Sequence, residues 1–67
     1  MKISYDKDYN IFWIELPAKT FRTYPNISLW YLEEMEPPCN DFTFIKTFDS
    51  LEEVLEFLFE KEENSNE

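Results

Sequence analysis

The sequence has no glycine and no histidine, and it has single copies of cysteine, arginine and alanine. Each shortage closes a class of function. Without glycine there is no P-loop or dinucleotide-type loop, whose backbone must approach phosphate with no side chain in the way. Without histidine the commonest general base, the Ser-His and Cys-His nucleophile pairs and the commonest transition-metal ligand are gone. One cysteine, Cys39, can form neither an internal disulfide nor a Cys-rich zinc site. A free thiol agrees with a reducing compartment. No apolar run exceeds four residues (Ile11–Ile14 and Leu29–Leu32), against the roughly twenty a membrane span requires. Met1–Asp6 lacks the apolar stretch of a signal peptide, so a cytoplasmic location is the expectation.

What is present describes a small folded domain. The chain has 67 residues, 43% of them hydrophobic and 19% aromatic, which is too apolar for a disordered chain even at a net charge of −9. Fifteen Asp and Glu residues keep carboxylate chemistry formally open. A chain this short, however, rarely encloses a ligand pocket of roughly 300–1,000 Å³. The expectation is a non-enzyme with no cofactor and no metal. Residue types with AT-rich codons (Phe, Tyr, Met, Ile, Asn, Lys) number 28, and those with GC-rich codons (Gly, Ala, Arg, Pro) number 6. That bias points to a low-GC bacterium or an AT-rich phage.

The charge is uneven. Residues 1–32 carry a net +1 and residues 33–67 a net −10. Phosphate binding needs clustered Lys and Arg, so nucleic acid and anionic membranes are excluded as direct ligands. A basic partner protein is electrostatically favoured.

Along the chain, Ile3–Tyr5 and Ile11–Leu16 read as the strands of a hairpin, with Asn10 the candidate for a positive φ in the turn. Alternation places Ile11 and Trp13 on one face, and Phe12, Ile14 and Leu16 on the other. Residues 17–26 are ambiguous, because Pro17 and Pro25 bracket a segment otherwise suited to a strand. Ile27–Leu32 reads as a strand, Glu33–Asp41 as a loop around Pro37-Pro38, and Phe42–Phe48 as a strand with Phe42, Phe44 and Phe48 on one face. Ser50-Leu51-Glu52-Glu53 fits a capping box, in which the Ser50 hydroxyl accepts from the Glu53 amide and the Glu53 carboxylate accepts from the Ser50 amide. Leu51, Val54, Leu55 and Leu58 follow at helical spacing. The expected fold is α+β: a three- to four-stranded antiparallel sheet with one C-terminal helix on one face, forming a single domain over 1–62 with an acidic flexible tail at 63–67. Both sheet faces carry large apolar residues, so the face without the helix invites a partner chain, a second copy included.

The helix carries an acidic stripe. At about 100° per residue, Glu52, Glu53, Glu56, Glu60 and Glu63 fall within about 100° of one another, opposite the apolar stripe. None has a Lys or Arg four residues on. Glu52–Glu56 and Glu56–Glu60 are like-charge pairs that cost a few tenths of a kcal/mol each. The last turn, with Glu60, Glu62 and Glu63, opposes the helix dipole. Solubility is one explanation of the stripe. Presentation of carboxylates to a basic surface is the other. Neighbours three or four apart lie about 5–6 Å from each other, comparable with phosphates along a nucleic-acid strand, so mimicry of DNA is geometrically open. Glu33, Glu34 and Glu36, with Asp41, form a second acidic cluster, read either as a solvated loop or as an extension of the stripe. Trp30 and Tyr31 fall on opposite faces of their strand; Trp30 is the candidate aromatic anchor for a partner or a second copy.

Met1–Leu16 resembles the opening hairpin of several small bacterial β-rich families. Phe48–Leu58 resembles the strand-to-helix step of HicB-type antitoxins, without the glycines of that family's loops. Neither resemblance carries over a functional residue. The functional expectation is a small acidic inhibitor acting by direct contact on a basic nucleic-acid-processing or defence protein, of the phage counter-defence kind, in the host cytoplasm if phage-encoded. The alternatives are an antitoxin or immunity protein, and a structural or accessory oligomer subunit whose acidity serves only solubility.

Overall fold

The computed structural model describes residues 1–38 and 40–64, the last two as backbone only. Five strands, β1 (Lys2–Asp6), β2 (Ile11–Glu15), β3 (Thr20–Asn26), β4 (Leu29–Met35) and β5 (Thr43–Phe48), precede one helix, α1 (Leu51–Asn64). The strands pair antiparallel in sequence order, so the sheet is a meander with β1 and β5 at its edges. The α+β class and the C-terminal helix agree with the sequence, but the strands number five. The additional strand is β3, which occupies the ambiguous segment. Pro25 is tolerated there because the β2–β3 pairing ends at Phe12↔Thr23, while β3 continues beside β4 to Asn26↔Leu29. Beyond Thr23, β3 is locally an edge, and a missing N–H leaves no ladder bond unmade.

Three further expectations are corrected. Ile27 and Ser28 form the β3–β4 turn and do not open β4, which begins at Leu29. The segment from Glu33 to Met35 belongs to β4, not to a loop, because Glu33 and Glu34 have cross-strand partners on β3 and β5. Phe44 and Phe48 do not share a face. A register shift at Leu32/Glu33 inserts one extra residue in β5. Phe48 is buried in the core, and Ile45 packs against it, while Phe44 turns to the other side beside Tyr31.

The register gives each face its rows. On the helix side lie Ile3–Ile14–Phe21–Glu34, Tyr5–Phe12–Thr23–Leu32–Lys46 and Pro25–Trp30–Phe48. The core is Ile14, Phe21, Leu32 and Phe48 from the sheet, closed by Val54 and Leu58 from α1. Leu16, Trp30, Ile45, Leu51 and Phe57 pack around it. On the opposite side the central row is Ser4–Trp13–Arg22–Glu33–Phe44. Since α1 starts just after Phe48 and the Met1 amino group meets the Glu62 carboxylate at 2.8 Å, the helix runs from the β5 side towards the start of β1.

Local chemistry fixes the turns. Asn10 has a φ of 56°, as its position suggested, and its Oδ1 accepts from the Tyr5 hydroxyl at 2.7 Å. Asp6 Oδ1 accepts from the Asp8 amide at 3.0 Å, an Asx turn within the same loop. The β3–β4 hairpin closes through Ile27-Ser28, and Ile27 takes a φ of 62° with its side chain fully exposed. A β-branched residue is poorly suited to that left-handed region. The helix cap forms in shifted guise: Ser50 Oγ accepts from the Glu53 amide at 3.3 Å, but the Glu53 carboxylate accepts from Asp49, not Ser50.

Two stability predictions follow from these details. Thr23 is completely buried, and its hydroxyl has no hydrogen-bond partner among the described residues. Thr23→Val should therefore raise the unfolding free energy by about 1 kcal/mol, read from the urea midpoint; a loss would mean that the hydroxyl is satisfied in solution. Ile27→Gly should also raise the midpoint, by about 1 kcal/mol, by relieving the left-handed backbone. An unchanged midpoint would show that this turn stores no measurable strain.

Candidate protein-interaction surface

The acidic residues divide into two populations. Two on β4, Glu33 and Glu34, are ion-paired within the domain. Glu33 accepts from Arg22 Nε in a short ion pair, and its second oxygen accepts from the Tyr24 hydroxyl at 2.9 Å. Glu34 projects to the other face, where Lys19 Nζ reaches it at 3.3 Å. The two residues therefore do not extend the helical stripe; strand alternation separates them and internal cations neutralise them. Glu36 is exposed beside an open cleft of about 390 Å³ lined also by Glu34, Pro37, Pro38, Asp41 and Thr43. No group of His, Cys, Asp or Glu suited to a metal ion occurs among the described residues.

The helical acids behave differently. Glu52, Glu53, Glu56 and Glu60 are all exposed, while Val54 and Leu58 on the opposite side of α1 are buried. Glu53 spends one oxygen on the Asp49 amide. Glu52, Glu56 and Glu60 have no ion-pair partner among the described residues. The Glu63 side chain lies outside the described set, although its backbone continues the same helix. The one cation of the last turn, Lys61, sits on the flank over the Phe57 ring at 5.2 Å, away from the stripe. Glu62 is engaged by the Met1 amino group. The structure thus brings four of the predicted stripe residues together on one outward surface.

Trp30 and Tyr31 do face opposite ways. Trp30 is half-buried on the helix side, against the core and 6.0 Å from the Phe12 ring. Tyr31 lies on the open face, 5.8 Å from Tyr24 and 5.7 Å from Phe44. That face is less bare than its sequence suggests. Phe42, just before β5, reaches across it to meet Trp13 edge-on at 5.7 Å. Arg22 lies beneath, 4.1 Å from the Phe42 ring and 6.0 Å from Trp13. A cation on aromatic faces, held in place by Glu33, lets the chain cover part of its second face itself. Sequence reasoning singled out neither Arg22 nor Phe42. The available signal was that the only arginine falls in a strand-like segment among aromatics.

No helix among the described residues is long and apolar enough to cross a membrane. Comparison with protein families, with curated proteins and with solved structures finds no match, so the resemblance of Phe48–Leu58 to HicB-type antitoxins rests on that segment alone.

The Tyr24 phenol has its pKa raised, first by burial and then by its hydrogen bond to the Glu33 carboxylate. The fold favours the neutral phenol, so this contribution is intact below the ordinary value of about 10 and is lost as pH rises through the folded value. An ultraviolet titration should show a phenol ionising above about 10 that is absent from Tyr24→Phe, with stability falling over the same range. Identical titration curves would break the Tyr24–Glu33 assignment.

Proposed function

We propose that this protein is an acidic binding protein that acts by direct contact on a basic, nucleic-acid-processing or defence protein, with α1 as a mimic of a phosphate-bearing strand. One observation carries the reading: the outward face of α1 gathers Glu52, Glu53, Glu56 and Glu60, while the strand acids Glu33 and Glu34 are neutralised at home. Glu63 continues the stripe by helical position, and Glu36 stands exposed on the β4–β5 connection. The helix gains nothing locally from carboxylates at Glu56 and Glu60, since like charges four apart and anions near a helix C-terminus are both unfavourable. A basic partner would reverse that cost by charge complementarity and by accelerating encounter. No enzymatic role, cofactor or metal enters this reading, and the expected setting is cytoplasmic.

An antitoxin or immunity protein would use the same surface and differ only in the protein it blocks. An accessory oligomer subunit is favoured by a different observation, the aromatic open face of Tyr24, Tyr31 and Phe44, of which Phe44 is 53% exposed.

The test is affinity capture from a lysate of a low-GC bacterium at low and high salt, with bound proteins identified by mass spectrometry. The expected result is a basic nucleic-acid-processing protein at low salt, diminished at high salt. The triple variant Glu52→Lys, Glu56→Lys, Glu60→Lys, checked for folding by circular dichroism, should bind it at least about tenfold more weakly. Equal capture by wild type and variant would reduce the stripe to a solubilising surface.

A further inference from the structure

The two edges of the sheet are not equivalent. β5 carries a register shift, a device that blunts an edge against further pairing. β1 has no such shift: all five residues pair in register with β2, and its other side meets no strand among the described residues. Apolar side chains also collect along this edge. Met1, Ile3 and Tyr5 share the helix side of the sheet, with Ile3 47% and Tyr5 51% exposed. Phe59, 49% exposed, projects from the same flank of α1 as Glu62, the residue that meets Met1, while Phe57 on the opposite flank packs on Phe48 of β5. A regular strand edge and a strip of half-exposed apolar residues thus run side by side.

We infer that β1 pairs with β1 of a second copy, antiparallel about a two-fold axis midway between the two Ser4 residues, joining two sheets into one of ten strands. The sequence of the edge selects this occupant. Lys2-Ile3-Ser4-Tyr5-Asp6 reads as cation, apolar, small, apolar, anion. Antiparallel pairing centred on Ser4 sets Lys2 opposite the other copy's Asp6, twice, and Ile3 opposite Tyr5, twice. Charges therefore match in both halves, as an isologous interface requires. Lys2 has no ion-pair partner among the described residues. The axis stands perpendicular to the sheet, so both helices stay on one side and the two Phe59 flanks face each other across the seam. Half a large side chain is roughly 100 Å²; Met1, Ile3, Tyr5 and Phe59 of each copy bury roughly 800 Å² in total, below the roughly 1,200 Å² at which stable interfaces begin, so a weak, reversible dimer is expected. The two acidic helices repel, and screening at about 0.5 M salt favours the pair. This inference is independent of the basic-partner reading.

Sedimentation equilibrium at about 0.5 M salt, up to on the order of 1 mM chain, should reveal a reversible dimer. Ile3→Lys, folded by circular dichroism, should weaken it by about tenfold or more. The register is tested in a Cys39→Ser background. S4C places two thiols directly across the axis, within disulfide reach in either kind of antiparallel pair. K2C places them about 13 Å apart along the strands, out of reach. Mild oxidation should therefore cross-link S4C and spare K2C. A monomer at every concentration, or a dimer in which S4C cross-links no better than K2C, would overturn the inference.

Discussion

One fourteen-residue helix has to serve a five-stranded sheet whose two faces both carry large apolar side chains, and the rest of the molecule is arranged around that shortage. The helix closes one face by setting Val54 and Leu58 over Ile14, Phe21, Leu32 and Phe48. Six buried apolar side chains among the described residues make a thin core for a sheet of this width. The opposite face is covered instead by its own large side chains. Arg22 lies over the Phe42 ring and near Trp13, Glu33 accepts from its Nε, and Tyr24 donates to the same carboxylate. Aromatic residues and one ion pair thus do on the second face what a second helix would do in a larger domain.

That arrangement also sorts the charge. The β4 carboxylates stand across from cations of the N-terminal half and are consumed there, Glu33 by Arg22 and Glu34 by Lys19. Glu52, Glu56 and Glu60 on the helix have no such neighbours among the described residues, because they lie on the face that points away from the sheet. The molecule is therefore polarised: an internally balanced sheet on one side and an acidic ridge on the other. Solubility alone would be served by acids scattered over any exposed position. Their concentration on one ridge, at spacings the helix itself disfavours, is what the binding proposal explains.

Local signals in the sequence predicted local structure well. The first hairpin, the positive φ of Asn10, the Ser50 cap and the Leu51–Leu58 stripe all depend on neighbours within a few residues. The features that eluded sequence reasoning depend on distant partners. Pro25 read as a strand breaker, because nothing local reveals that β2 has already ended beside it. Glu33 and Glu34 read as loop, because their partners Arg22 and Lys19 sit 11 and 15 residues earlier. The extra residue in β5 inverted the expected faces of Phe44 and Phe48. The acidic ridge of the candidate site was legible by helical periodicity alone. The self-covering of the open face by Phe42 was not, since it arises only once β2, β3 and the β4–β5 connection are side by side.

The central claim is that the α1 ridge occupies the site where a basic partner holds nucleic acid. The most direct measurement is competition: fluorescence anisotropy of a labelled duplex bound to the captured partner, titrated with this protein. The account predicts full displacement of the duplex, with an apparent affinity that weakens as salt rises. A ternary complex, in which the protein binds while the duplex stays in place, would contradict it.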